Sequence, residues 1–280
     1  MPFIKEINKD FFIRDNKIIL TEEYVSKNRW KFKKITGSRF SSILGTSEWS
    51  SDVKSWAIMV GIFKDKMDET LSIVGNTVEP KVKDFAEEIL NKRYISYSPA
   101  KIQWDIFKDN MIFGGIPDGE PINENNTLDY PNSRMLEIKT TSIDSLVYRK
   151  IDNTLTLQKD YNNVPLVKEK NGGLKKWFNE YNEITISEDY CMQLSLYLYL
   201  RNVEKGLFVI AFLEPKDYAQ PKSFVPSKKN IKFVELDLNS SFFEDKIIYA
   251  TNWYEKHIKG CISPEINSRD LKWLREEGLI

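Results

Sequence analysis

Two carboxylates and an amine lie near the middle of this 280-residue chain, in two short segments. The segment GGIPDGE carries Asp118, and the segment LEIKTT, after a polar gap, carries Glu137 and Lys139. Carboxylate oxygens are hard ligands that suit Mg²⁺ or Mn²⁺. A neighbouring ammonium group can orient an attacking water and stabilise developing negative charge. This pattern is typical of sites that hold a divalent cation against a phosphodiester.

The residues around Glu137 follow the period of a β-strand. Leu136 to Lys139 reads apolar, acidic, apolar, basic. Because side chains alternate across a strand, we predict that Glu137 and Lys139 share one face while Leu136 and Ile138 enter the core.

Asp118 must reach this strand from a glycine-rich turn. It follows Pro117 and lies between Gly115 and Gly119, where the backbone can approach another strand closely. We predict that segments 111–116 and 134–138 pair through the loop 121–133, which brings Asp118 beside the acidic strand.

Glu-x-Lys alone carries little information. It occurs four times, at Glu79/Lys81, Glu137/Lys139, Glu214/Lys216 and Glu244/Lys246. Only the second lies in an alternating apolar run and follows the single Pro-Asp of the chain. The alternative interpretation is an acidic turn followed by a salt-bridged surface strand, and other segments must decide between the two.

Two apolar segments at helical spacing supply further polar groups. Segment 74–90 predicts a helix with Glu79 in its first turn beside Pro80, a residue tolerated there. Segment 190–200 predicts an apolar helix with a single amide, Gln193. That amide either takes an exposed position or pairs with a polar group such as Lys139 or a water.

Taken in order, Glu79, Asp118, Glu137-x-Lys139 and Gln193 resemble the PD-(D/E)xK nuclease superfamily. The resemblance is closest to its lambda-exonuclease-like, YqaJ-type viral recombinase branch and spans roughly residues 30–215. It implies that the three acids are metal ligands.

The resemblance also implies a role for three further groups. The backbone carbonyl of Ile138 would complete the metal site. Lys139 would position the attacking water, and Gln193 would support Lys139 or that water.

The N-terminal string WKFKKITGSRFSSILG is similar to the opening motif of the same branch. The resemblance implies that Ser38 and a basic residue at position 31 bind a DNA phosphate. Here that basic residue is Lys31, which binds phosphate as a point charge and lacks the bidentate fork of arginine. Arg39 or Arg29 can compensate. Thr36 or Ser38 suits a helix N-cap, where phosphate is attracted, although a plain capping role explains either residue equally well.

The segment between Lys139 and Gln193 is longer than in compact viral exonucleases. We interpret residues 142–188 as an insertion. Its basic residues surround Trp177 and suit contact with single strands or duplex ends, or the insertion is a solvated excursion anchored by this ring. These basic residues are Lys168, Lys170, Lys175 and Lys176.

Composition restricts the class of protein. The chain is 41% hydrophobic and 13% aromatic, and its 41 basic residues balance 41 acidic ones, which argues against a generally cationic nucleic-acid coat. Two cysteines and one histidine exclude a four-cysteine iron–sulfur cluster and a histidine-based nuclease. Residues 1–14 lack a signal-peptide pattern and no apolar run suits a membrane span, so we expect a cytoplasmic protein without a membrane partner.

The order of predicted elements indicates an α/β fold with a central mixed β-sheet flanked by helices, as in a restriction-endonuclease-like core. No linker divides the chain, so we predict one domain over residues 1–280, with the insertion at about 142–188 and a helical C-terminal extension at about 240–280. Helices are predicted at about 20–30, 38–46, 52–65, 76–92, 187–202 and 240–258, and strands at about 94–98, 101–107, 111–116, 134–140, 206–213 and 231–237.

The expected activity is that of an Mg²⁺-dependent DNA exonuclease, for which Mn²⁺ can substitute. The resemblance implies 5′→3′ digestion of double-stranded ends in recombination or phage-type end processing. It further implies a homo-oligomer and a single-strand-annealing partner protein. The alternatives are a restriction or junction-cleaving endonuclease on the same core, and a catalytically silent DNA-binding module.

Overall fold

The structure is a computed structural model that describes residues 6–65, 68–151 and 154–278. Its strands are β1 (Phe11–Arg14), β2 (Lys17–Leu20), β3 (Ile35–Thr36), β4 (Arg93–Ile95), β5 (Phe113–Gly114), β6 (Glu120–Ile122), β7 (Met135–Ser142), β8 (Ser145–Leu146), β9 (Tyr148–Ile151), β10 (Thr154–Leu157), β11 (Val167–Glu169), β12 (Lys205–Leu213) and β13 (Ile231–Asp237). Its α-helices are α1 (Glu22–Asn28), α2 (Gly37–Ile43), α3 (Asp52–Met59), α4 (Glu69–Leu90), α5 (Glu188–Arg201), α6 (Pro215–Ala219), α7 (Ser240–Trp253) and α8 (Ser268–Glu276). Across these described ranges, no helix has the length and apolar character that crossing a bilayer requires.

A mixed sheet forms the centre of the fold. β7 runs parallel to β12, and β12 runs antiparallel to β13. A bridge between Gly119 and Leu136 joins β7 to the β6 side, where β6 pairs with β4. The predicted α/β fold with a central mixed sheet flanked by helices is confirmed.

β12 is buried on both faces, as its continuous apolar run predicts. Alternate residues enter two separate cores, so one helical layer covers each face of the sheet. The face with Phe208 and Ile210 shares a core with α2, α5 and α7, and the opposite face, with Leu207 and Val209, shares a core with α4.

The C-terminal segment from residue 240 is mostly helical in the part that the structure describes. α7 continues as a π-helix over Tyr254–Lys259, and α8 follows. Phe243, Ile247 and Leu274 belong to the same core as the α5 face of the sheet. The extension therefore packs against the side of the sheet on which Glu137 and Lys139 lie.

The predicted pairing of segments 111–116 and 134–138 is wrong. β5 instead runs parallel to β3, and the residue that bridges to β7 is Gly119. The chain changes direction between these points, where Gly115 has a φ of +132° and Pro117 follows. Asp118 still meets β7, because the turn places it directly before the bridge.

The position of Glu79 in its helix also differs from the prediction. α4 begins at Glu69, ten residues before Glu79, and the Asp68 side chain accepts a hydrogen bond from the Thr70 backbone N–H. Glu79 and Pro80 therefore lie in the helix interior. Proline has no N–H to donate there, so the helix loses one backbone hydrogen bond beside Glu79.

The strand predicted at about 101–107 does not form. The chain turns instead, and the backbone N–H groups of Ile102 and Trp104 donate to the carbonyls of Ser98 and Pro99. Pro99 favours the start of a turn, and this local bonding satisfies the backbone without a neighbouring strand.

Candidate active site

Four separate elements bring the polar residues of the candidate site together. α4 carries Glu79, and the turn before β6 carries Asp118. β7 carries Glu137 and Lys139, and α5 carries Gln193. The site therefore lies where both helical layers meet the edge of the mixed sheet.

Lys139, Glu137 and Gln193 form a closed hydrogen-bonded triangle. Lys139 Nζ donates to Glu137 Oε1 over 2.7 Å and to Gln193 Oε1 over 3.2 Å. Gln193 Nε2 donates to the same oxygen of Glu137 over 2.6 Å. The half-buried amide thus has the polar partners that its position on an apolar helix requires.

Asp118 is fixed to β7 through the backbone. Its Oδ2 accepts a hydrogen bond of 2.7 Å from the backbone N–H of Ile138. Ile138 lines the same cavity as Glu79 and Asp118. This contact replaces the strand pairing that the sequence predicted, and it brings Asp118 to the strand that carries Glu137.

The three acids raise the pKa values of one another. Burial and the neighbouring Glu79 raise the pKa of Asp118 to about 7, and burial and Asp118 raise the pKa of Glu137 to about 7. Burial also raises the pKa of Glu79, whose carboxyl group lies within hydrogen-bond reach of Asp118. Burial opposes the charged form of Lys139, but Glu137 and Asp118 outweigh it and raise the pKa of its ammonium group. The ammonium group of Lys139 thus interacts with all three carboxyl groups.

This donor set suits a divalent metal ion. Within the described residues, no three acidic, histidine or cysteine side chains already close around one point. Glu137 turns one oxygen toward Lys139 and Gln193. Its other oxygen, Oε2, is buried and has no hydrogen-bond partner in the described part of the chain. An orphaned carboxylate oxygen is costly, and a hard cation shared with Asp118 and Glu79 would satisfy it.

The ammonium group of Lys139 also lies against an aromatic ring. Its Nζ is 4.5 Å from the ring centroid of Tyr190. Trp177 stacks on Tyr190 with centroids 5.8 Å apart, and its Nε1 donates to Thr141 Oγ1 over 3.0 Å. Sequence reasoning missed Tyr190, although its position one helical turn before Gln193 places it on the same face of α5.

Glu79 and Asp118 line a cavity of about 1090 Å³, and Glu137 is buried behind it. Of the three predicted phosphate-binding residues, Ser38 and Arg39 line this cavity and Lys31 does not. The Lys31 ammonium lies over the exposed ring of Trp30, 4.9 Å from its centroid. Two other basic residues of the same segment, Lys33 and Lys34, do line the cavity, and sequence reasoning missed them.

Arg39 is held at the start of α2. Its Nη1 donates to Thr36 Oγ1 over 2.9 Å, and that hydroxyl lies 3.3 Å from Ser38 Oγ. Thr36 is the N-cap residue, as one of the two predicted alternatives has it. Arg39 Nε is buried without a partner among the residues that the structure covers, and burial lowers the pKa of its guanidinium group. A buried guanidinium N–H without a partner is suited to bind an anionic ligand.

Tyr197 also lines the cavity. Its buried hydroxyl lies within hydrogen-bond reach of the backbone N–H groups of Gly37 and Ile116. A Cβ at Gly37 would lie 2.6 Å from Gln193 Cγ, so glycine lets α2 contact α5 directly. A Cβ at Gly115 would lie 2.7 Å from the Tyr197 hydroxyl.

Gly115→Ala is expected to lower the free energy of unfolding by about 2–4 kcal/mol, because its φ of +132° strains any larger residue and the new methyl group overlaps Tyr197. Urea unfolding measures the change. Gly75→Ala is the matched control, since a Cβ there meets no atom within 4 Å and alanine favours the helix by up to about 1 kcal/mol. An unfolding midpoint for Gly115→Ala equal to that of the unsubstituted protein contradicts the proposed crowding.

The sequence matches the model of the YqaJ-like viral recombinase domain over residues 28–201, more than half of the chain. The chain belongs to this family.

Two relatives match this member of the YqaJ-like family over their whole length. The uncharacterized protein MG373 of Mycoplasma genitalium is 47% identical over 280 residues, with 100% of both chains covered. The MG373 homolog of Mycoplasma pneumoniae is 45% identical over 280 residues, again with 100% of both chains covered.

A solved structure shows the same fold. The alkaline exonuclease LHK-Exo of Laribacter hongkongensis, in complex with dAMP, superposes with a TM-score of 0.51. The match covers 92% of this chain and 98% of that chain at 10% sequence identity. The predicted restriction-endonuclease-like core is confirmed.

Inside the YqaJ-like domain, the insertion predicted at about 142–188 contains β8, β9, β10 and β11 in its described part. Trp177 is buried and anchors it to β7, as one of the two interpretations has it. Lys168 and Lys176 line a second cavity of about 410 Å³ together with Thr141. Contact of this segment with DNA stays a prediction.

An ion pair with a buried carboxylate joins the middle of the YqaJ-like domain to its C-terminal end. Glu120, fully buried on β6, accepts from Arg201 Nε over 2.5 Å and from Arg201 Nη2 over 2.8 Å. The hydroxyl groups of Tyr97 and Tyr130 donate to the same carboxylate. This cluster ties the strand after Asp118 to the end of α5, and no local sequence pattern identifies it.

Proposed function

We propose that this protein is a metal-dependent DNA exonuclease that hydrolyses phosphodiester bonds from double-stranded ends. The observation that carries the proposal is the orphaned Oε2 of Glu137, buried beside Asp118 and Glu79. Membership of the YqaJ-like family and the fold shared with an alkaline exonuclease support a nuclease.

Glu79, Asp118 and Glu137 would hold Mg²⁺, or Mn²⁺ in its place, together with the backbone carbonyl of Ile138. A bound divalent cation supplies Lewis-acid chemistry, because it polarises a phosphoryl oxygen and lowers the pKa of water. The donor set, made of oxygens alone, suits these two metals.

Lys139 would orient the attacking water and stabilise the negative charge that develops on the phosphoryl group. Its ammonium group stays charged, because Glu137 and Asp118 raise its pKa. Gln193 holds this group in place through its 3.2 Å contact. A fixed ammonium group costs little reorganisation at the moment of reaction.

Ser38 and Arg39 would bind a phosphate of the DNA strand at the cavity wall, whereas Lys31, the third residue predicted for this role, does not line the cavity. Lys33 and Lys34 add positive charge along the same wall. Phosphate affinity depends on local neutralisation, so basic residues at this wall would support DNA binding by a chain whose net charge is zero.

The same proposal includes 5′→3′ digestion, a role in recombination or phage-type end processing, and action on DNA in the cytoplasm. The proposal also includes a homo-oligomer and a single-strand-annealing partner protein, both of which the family resemblance implies. Each of these can be tested once digestion of DNA has been measured.

Digestion of end-labelled linear duplexes with and without Mg²⁺ is the decisive experiment. We expect nucleotides to be released from open ends in Mg²⁺, stimulation by a 5′-phosphate, and no release in EDTA. Duplexes with blocked ends and closed circular duplexes should stay intact. Cleavage of the circular duplex would indicate an endonuclease, and a protein that degrades no DNA with Mg²⁺ or Mn²⁺ contradicts the proposal.

A further inference from the structure

Two consecutive residues beside the acids adopt a backbone conformation that side chains larger than glycine rarely take. Gln103 has a φ of +55° and Trp104 a φ of +62°. For a bulky residue such a φ is a genuine outlier, and outliers of this kind cluster at ligand clamps and active sites. Despite this strain, the ring of Trp104 is 70% exposed.

Contacts on both sides of Trp104 hold this conformation. Its backbone N–H donates to the Pro99 carbonyl over 2.9 Å. The next residue, Asp105, accepts from the backbone N–H of Gly115 over 3.1 Å and from Lys34 Nζ over 2.7 Å. The contact with Gly115 joins the turn to the segment that leads to Asp118.

Trp104 lines the same cavity as Glu79 and Asp118. Two other tryptophans, Trp30 and Trp49, are 79% and 76% exposed, but neither lines this cavity. Among the residues that the structure describes, Trp104 is therefore the exposed tryptophan that also lines the cavity with Glu79 and Asp118.

The walls around this ring carry basic side chains as well as the acids. Lys33, Lys34, Arg39 and Lys83 line the cavity with it. Basic side chains that follow a phosphate backbone, combined with an aromatic face for a base, are the features that proteins use to bind single-stranded nucleic acid. A base inside a duplex is covered on both faces by its neighbours, so an isolated ring at this position suits an unpaired base.

We propose that Trp104 stacks on an unpaired base of the DNA strand whose phosphodiester lies at the acids. This inference rests on the proposed nuclease function. Trp104 is a substrate-binding residue in it, and it contributes no proton or metal ligand. Because each base offers a π face, the contact tolerates any sequence.

The test is the affinity of a short 5′-phosphorylated single strand, measured by fluorescence anisotropy in EDTA. Trp104→Ala is expected to raise Kd by about 5- to 150-fold, the range that corresponds to the loss of one stacked base. Trp104→Phe should retain most of the affinity, and Trp49→Ala, the matched exposed control, should change nothing. A strand with abasic sites should bind the parent protein and Trp104→Ala equally well.

Two results would overturn the inference. One is an unchanged Kd for Trp104→Ala, and the other is an equal loss on normal and abasic strands, since a stacked base is absent from the latter. Digestion of duplex DNA by the parent protein in Mg²⁺ is measured in parallel. Digestion with an unchanged Kd rejects the role of Trp104 alone, whereas a parent protein that neither binds nor digests DNA rejects the nuclease as well.

Discussion

Lys139→Ala is expected to lower the kcat of DNA hydrolysis by about 10²–10⁴-fold, the scale of a positioned group that orients water and stabilises charge. The ammonium group of Lys139 bonds both Glu137 and Gln193, at 2.7 and 3.2 Å. No other lysine joins β7 to α5 in the described part of the chain, so nothing replaces it at the reacting phosphoryl group. Single-turnover digestion of an end-labelled duplex measures the chemical step directly.

The same variant should keep its fold. Glu137 Oε1 retains the 2.6 Å hydrogen bond from Gln193 Nε2 after the lysine is removed. Its carboxyl group, whose pKa burial and Asp118 already raise to about 7, can take up a proton instead of remaining a buried, uncompensated charge. Circular dichroism and a thermal unfolding curve check this.

Lys205→Ala is the matched control for the activity measurement. Lys205 is an exposed lysine at the start of β12, the strand that pairs with β7, so its replacement changes the net charge equally and leaves the site alone. It should digest DNA at the parent rate. If Lys139→Ala does the same, Lys139 has no role in the chemistry, and the proposed mechanism is wrong.

The sequence predicted the parts of this fold that depend on local pattern. Strict alternation placed Leu136 and Ile138 in one core, and the opposite face carries Glu137 and Lys139 toward α5. The continuous apolar run of β12 indicated a strand buried on both faces, which the structure shows. Periodicity suffices where the packing of a segment decides its own conformation.

The rest depended on contacts between segments distant in the chain. Asp118 reaches β7 through the backbone N–H of Ile138 and not through the predicted strand pair, because the turn at Gly115 redirects the chain. The buried cluster of Glu120 and Arg201 joins residues from different elements, and no spacing rule connects them. Their partners become visible only when the sheet and α5 are assembled.

Trp177 and Tyr190 show a second limit. The sequence identified Trp177 as a candidate anchor for the insertion, but not the ring on which it stacks or the lysine beyond that ring. A stacked pair needs the relative orientation of two elements, whereas a hydrophobic pattern gives only their faces. The predicted strand at 101–107 is wrong for a different reason, since local turn bonding at Pro99 took precedence over strand propensity.

Asp118→Asn is expected to lower DNA hydrolysis by about 10³-fold or more, the several kcal/mol that a bound cation supplies to such a transition state. The replacement keeps an oxygen that can accept from the Ile138 N–H, as Oδ2 now does over 2.7 Å. The backbone therefore stays in place while one anionic ligand is lost. Isothermal titration with Mn²⁺ should show weaker binding in parallel with the loss of activity.

Asp118→Asn should lose activity but gain stability when no metal ion is bound. Burial and Glu79 raise the pKa of Asp118 from its ordinary value of 3.8 to about 7. Between these values the folded state binds more protons than the unfolded state, so stability falls as pH rises toward 7 and stays low above it. An amide does not titrate and can donate a hydrogen bond to Glu79, so the stability of Asp118→Asn should not fall in this way as pH rises.

We therefore expect Asp118→Asn to exceed the parent protein by about 1–2 kcal/mol in free energy of unfolding at pH 8 in EDTA, with the difference shrinking toward pH 4. Asp84→Asn is the matched control, because Asp84 is an exposed acid on α4 that lines the same cavity. It should change neither stability nor digestion. A destabilised Asp118→Asn at pH 8 would mean that the acids do not oppose one another, and the argument for a cation between them would lose its physical basis.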